Sequence, residues 1–356
     1  MEQERASYQN STHIRRQQTN KYTSFALLGF SLSMIVLGCT AASKGIDGST
    51  TSISVVQEKE SSIERSTTVP NITLINYSSF ATTDLQEWVN FAESKMANRT
   101  ASILAFIFPV GESLERRIND TPFYAHQVML TQGEINSILS DIDTWLRSDN
   151  CVGKDLQQRH SHLEDYRLWL EAGADASTMQ ALCPKTRVIA MGITTQMRER
   201  EGIQAFQNFL IHEFYHAFQQ DLEMEGECRT RANKNESNSI WFIEGAAHYF
   251  ATHAVAELNN DPDPRNNLLQ NAYQYFLRER GTLFGSRPDI AGAAALQLLV
   301  EQGLLEEHAI LDGSLFHACA RELRFESDSS EIQAVWNSWN LITENDGAYE
   351  FFLNRE

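Results

Sequence analysis

The chain has 356 residues, of which 42% are hydrophobic and 21% charged, enough apolar material for a full core rather than a disordered polymer. Its formal charge is −18, and removing the four basic and two acidic residues before Cys39 takes it to −20. That balance argues against a nucleic-acid partner and mildly favours basic or neutral polypeptides.

The first 39 residues read as a targeting unit. Arg15, Arg16 and Lys21 precede the apolar run Phe25-Ala26-Leu27-Leu28-Gly29-Phe30-Ser31-Leu32-Ser33-Met34-Ile35-Val36-Leu37. The run is short for a membrane span and fits a signal-peptide core, with an uncleaved N-terminal anchor as the alternative. Val36-Leu37-Gly38-Cys39 resembles a bacterial lipobox. The resemblance implies a signal peptide over 1–38, cleavage before Cys39 and lipidation of its thiol. The rest of the chain would then lie outside the cytoplasmic membrane, held to it by the lipid. Residues 39–80 are rich in Ser and Thr and poor in aromatics, and are expected to form a disordered tether. At about 5–6 Å × √n, it would hold the folded part roughly 35 Å from the bilayer.

From 81 to 356 the composition is globular. Helices are expected over 85–96 and 132–147, and a strand over 103–109. A strand over 186–195 is followed by the charged turn Arg198-Glu199-Arg200-Glu201. Beyond Gly202 the chain reads as almost wholly helical, with further helices over 268–280, 290–302, 315–324 and 330–339. The fold class expected is α+β, mainly helical, with a mixed lobe over about 81–201 and a helical lobe over about 202–356. A substrate cleft would lie between the lobes.

The chemistry is carried by two helices. The stretch 202–224 contains no proline and has its only glycine at the start, so it predicts one continuous helix. It carries His212-Glu213-Phe214-Tyr215-His216. Residues four apart lie one above the other on a helix, so both imidazoles can face one metal ion while Glu213 takes a proton from a water. The alternative is two ordinary core histidines on an amphipathic helix. A second helix, 239–251, carries Glu244 in an apolar setting, 28 positions after His216. A buried carboxylate needs a partner, and zinc would serve; a helix-start carboxylate favoured by the macrodipole is the other reading.

Together these helices resemble those of the gluzincin metallopeptidases. Trp241-Phe242-Ile243-Glu244-Gly245-Ala246-Ala247 is similar to the Trp-x-x-Glu-Gly-x-Ala form found in the catalytic domains of bacterial collagenases and related peptidases. The resemblance covers roughly 185–255 and implies a two-lobed zincin-like domain that hydrolyses peptide bonds. It implies one Zn2+ held by His212, His216 and Glu244, with Glu213 as general base. Collagen is not carried over as substrate, because no collagen-binding module is recognisable. The strand before the first zinc helix would border the cleft and pair with the substrate backbone, with Gly192 allowing close approach; a plain central strand is the alternative.

One position departs from the family. An acidic residue commonly stands four places after the ligand glutamate, and here His248 occupies it. His248 is then a neighbour that steadies a ligand, an alternative ligand, or a polar residue of the cleft wall. Candidate donors to the oxyanion are Tyr273, Tyr275, His308 and His317. Beyond Cys39, four cysteines remain: Cys151, Cys183, Cys228 and Cys319. In an exported chain they allow two disulfides, for which we favour Cys151 with Cys183 and Cys228 with Cys319 over four free thiols. Two further readings compete with a peptidase: a surface lipoprotein using the fold only to bind, and a zinc hydrolase of a non-peptide amide.

Overall fold

A computed structural model describes residues 71–96, 101–148, 155–183, 186–195, 197, 199, 202–224, 236–283, 285–316, 335 and 337–352. The fold is mixed α+β. Its sheet contains β1 (Ile72–Asn76), β2 (Ser102–Arg117), β3 (Tyr124–Val128), β4 (Ser177–Cys183) and β5 (Thr186–Thr194), in the order β1-β2-β5-β4 with β3 also on β2. β1, β2 and β5 run parallel, β4 lies antiparallel to β5, and β3 is antiparallel to the second half of β2. The helices are α1 (Thr82–Lys95), α2 (Gln132–Ser148), α3 (Asp155–Ala172), α4 (Gly202–Met224), α5 (Glu236–Leu258), α6 (Pro264–Glu279), α7 (Pro288–Glu301) and the short α8 (Glu307–Leu311).

β2 is apolar at every position from Ile103 to Val110, and its place in the sheet explains why. Ile103, Ala105 and Ile107 face one core with Ile189, Met191 and Ile193 of β5; Leu104, Phe106 and Phe108 face the other with Val188 and Ala190. A strand covered on both faces loses the polar half of the usual alternation. The first core is closed by α1, α4, α5 and α7, and the second by α2 and α3.

Three expectations change. Folded structure begins within the stretch read as tether: Ile72-Thr73-Leu74-Ile75 pairs with β2, because β-branched residues there complete the sheet despite a Ser/Thr-rich neighbourhood. The region beyond 202 is not wholly helical, since β6 (Ile342–Asn345) and β7 (Ala348–Phe351) form a hairpin. Its turn places Asp346 and Gly347 at φ 51° and 84°, the left-handed pair that an Asp-Gly turn supplies. The expected helix over 315–324 begins instead with a 3-10 turn, Ser314–Phe316, and its remainder lies outside the described residues. So do residues 1–70, including the segment read as a signal peptide and Cys39. Among the described residues no helix is long and apolar enough to cross a membrane.

Candidate metal centre

α4 and α5 pack side by side in opposite directions. Phe206, Leu210, Phe214 and Tyr215 of α4 bury against Trp241, Ala246, Tyr249 and Phe250 of α5. That packing leaves a narrow polar seam. On it, His212 Nε2 lies 2.9 Å from His216 Nε2 and 3.2 Å from Glu244 Oε2, and His216 Nε2 lies 3.3 Å from the same oxygen. These three residues could hold a metal ion.

His216 and Glu213 are each held by a neighbouring side chain. Gln219, one turn after His216, accepts at Oε1 from His216 Nδ1 (2.8 Å) and donates through Nε2 to the Ile243 carbonyl (2.9 Å). This bridge fixes which nitrogen of His216 faces Glu244 and ties it to the neighbouring helix. Glu213 is buried and accepts a 3.1 Å hydrogen bond at Oε1 from the Ser177 hydroxyl on β4. Gln219 was within reach of sequence reasoning, at position i+3 from a ligand. Ser177 was not, since it lies on a different strand.

Without a cation, a proton holds the cluster together. Burial disfavours the His216 imidazolium, but the Glu244 carboxylate outweighs it and pushes the pKa up to about 9. Burial likewise opposes the Glu244 carboxylate, yet the two imidazoles hold it well below the usual range.

His248 stands outside this triangle. It is buried beside it, with its ring 6.5 Å from that of His212, and its Nε2 has no hydrogen-bond partner among the described residues. Burial first, then the neighbouring His212 and Arg287, bring its pKa down to about 4 against the pull of Asp289, so the ring is neutral at pH 7. Arg287 and Asp289, at the start of α7, form a two-pronged ion pair of 2.8 and 3.1 Å. Neither was singled out in the sequence.

His212, Glu213, Glu244, His248, Arg287 and Asp289 line one cavity of about 670 Å3, which reaches Ser177 on one side and Asp261 on the other. The other sequence candidates lie elsewhere. Tyr273 packs on Tyr349 of the hairpin, with ring centres 5.4 Å apart. Tyr275 is buried, and its hydroxyl accepts from the Arg287 backbone N–H. His308 is exposed on α8 and does not line the cavity, and His317 lies outside the described residues. Gly192 is not open to a substrate: β5 is flanked on both sides, and the Gly192 N–H donates to Ala176. An added Cβ there would lie 3.1 Å from the Ala174 carbonyl carbon, so the glycine admits the chain's own 174–176 backbone. Among the described residues β4 is an edge strand of the sheet, at the opposite end from β1. Cys151, Cys228 and Cys319, and the side chain of Cys183, lie outside the described residues. Compared with protein-family models, curated protein sequences and solved structures, the chain matches none.

Proposed function

We propose that this chain is a zinc-dependent peptidase of the gluzincin type, with a two-lobed zincin-like architecture around the cavity. The observation that carries the reading is the triangle of ligand atoms with Glu213 beside it. Four-coordinate zinc with bonds of about 2.0–2.2 Å separates its ligand atoms by roughly 3.3 Å. The edges here are 2.9, 3.2 and 3.3 Å, and the donor set of two imidazoles and one carboxylate suits zinc. A zinc ion held there supplies Lewis acidity and makes water acidic enough to react near neutral pH.

The chain's own residues do the rest. Glu213 accepts the proton of the attacking water and returns it to the leaving amine. Ser177 holds one Glu213 oxygen by its hydroxyl, so the carboxylate keeps one orientation and its second oxygen is the base. Among the described residues no strand pairs with the outer side of β4, so its backbone next to Ser177 offers an edge for an extended substrate. The N-terminal segment belongs to the same reading: an exported enzyme tethered through a lipid on Cys39.

The test compares wild type with Glu213→Gln on a peptide library after zinc has been measured in both. About one zinc per chain is expected in each, with cleavage lower by about 10²–10⁴ in the variant. Zinc-loaded wild type that cuts no peptide overturns the peptidase reading and leaves the metal site standing.

Proton release follows from the same site. His216 keeps its proton up to about pH 9 when no metal is present. Zinc has to displace it, so binding at pH 7 is expected to release about one proton per ion. Affinity should rise with pH and level off near 9. Calorimetry in two buffers of different ionisation heat measures the release, and a heat independent of buffer contradicts the assignment.

A further inference from the structure

The cavity continues well past the metal ligands. α5 lines it with Glu244, His248, Thr252 and Ala256, one face at helical spacing, and Asn259 follows directly after its last residue. The fifteen steps from Glu244 to Asn259 at about 1.5 Å each make this wall roughly 22 Å long. The antiparallel α4 follows it, since His212 meets Glu244, Asn208 meets Thr252, and Gln207 meets Asn259. Its lining combines apolar side chains, Phe209 and Val255 among them, with the side-chain amides of Asn208, Asn259, Asn267 and Asn271.

Those amides have a fixed polarity. Asn267 Nδ2 donates to Asp261 Oδ2 at 2.7 Å, and Asn259 Nδ2 donates to the Val255 carbonyl at 2.8 Å. A carboxylate and a backbone carbonyl can only accept, so neither amide can be turned round. Both N–H groups of the Asn259 amide are therefore used within the protein, on Val255 and Gln207, and one of those of Asn267 is used on Asp261. The Oδ1 atoms of Asn259 and of Asn267 are left as acceptors with no partner among the described residues. Asp261 adds a full negative charge beside them. Arg287, by contrast, is paired with Asp289 near the metal end. The far end of the arm thus offers acceptors and negative charge, the complement of an ammonium or guanidinium group.

We infer that this arm binds an extended polypeptide that carries a lysine or arginine about six residues from the scissile bond, so that cleavage falls inside chains rather than at their ends. The length follows from an extended rise of about 3.3 Å per residue over roughly 22 Å. The inference rests on the peptidase reading for its scissile bond, and on the cavity alone for its basic end.

The test uses the full-length Glu213→Gln protein loaded with zinc, and labelled dodecapeptides differing only by lysine or norleucine at the sixth residue on either side of the central bond. From one side, the lysine peptide is expected to bind about five- to tenfold more tightly, with the difference shrinking as salt is raised. Asp261→Asn should erase the preference while zinc content stays unchanged. Equal affinities on both sides overturn the basic subsite. Wild type supplies the second readout on the same peptides and on tripeptides. Cleavage without any preference sinks this inference and spares the peptidase reading, whereas a preference in binding without cleavage does the reverse. Tripeptides cut as efficiently as dodecapeptides overturn the extended arm.

Discussion

Glu244→Ala is expected to weaken zinc binding by more than 100-fold while the fold is retained. Glu244 is the anionic member of the triangle, and its Oε2 lies 3.2 and 3.3 Å from the two imidazole nitrogens. Without it, two imidazole nitrogens 2.9 Å apart face one another with no carboxylate among the ligands to oppose the cation. Partners that only orient a ligand are worth roughly 10–100-fold in affinity, so loss of a ligand must exceed that range. His248→Ala supplies the contrast. His248 sits beside the triangle, and its removal should leave one zinc per chain with affinity lower by at most about tenfold. Competition against a chromophoric chelator measures both variants, and circular dichroism checks that each has folded. Zinc retained in Glu244→Ala but lost in His248→Ala would reverse the roles of the two residues.

The ligands were legible because helical geometry alone brings them close. His212 and His216 share a face by spacing, and the helix expected over 202–224 is the one observed. The second helix is longer than expected, starting at Glu236, and still presents Glu244 to the first. Ser177, Arg287 and Asp289 were not legible, because their approach depends on how β4 and α7 cross α4 and α5. Nothing local to a serine at a strand start points to a carboxylate 36 positions away. Tyr273 and Tyr275 failed for the opposite reason: aromatic side chains on an amphipathic helix are used for packing before chemistry. The hairpin of β6 and β7 had a readable signal in Asn345-Asp346-Gly347.

Gly292→Ala is expected to destabilise the protein by about 3 kcal/mol and to weaken zinc binding as well. α5 and α7 cross where Gly245 meets Gly292, with small residues on either side: Ala246 and Ala247 on one helix, Ala291 and Ala293 on the other. A Cβ on Gly292 would lie 2.9 Å from the Gly245 Cα and 2.8 Å from the Trp241 carbonyl carbon. Both obstacles are backbone, so no side chain can swing aside and the helices must separate. Gly245 directly follows Glu244, so a shift of α5 moves the carboxylate relative to the two histidines. The same shift moves Arg287 and Asp289, which begin α7. For a domain of this size, about 3 kcal/mol corresponds to a fall in Tm of roughly 6–12 °C. Gly133→Ala is the control: in α2 its Cβ finds only Thr131 Oγ1, at 3.9 Å, and its backbone is helical, so it should be neutral or stabilise by about 0.4–1 kcal/mol. If instead Gly292→Ala melts with wild type, the helices do not cross at this separation in solution. A variant that melts early yet binds zinc normally would show that the crossing supports the fold without setting the distance from Glu244 to the histidines.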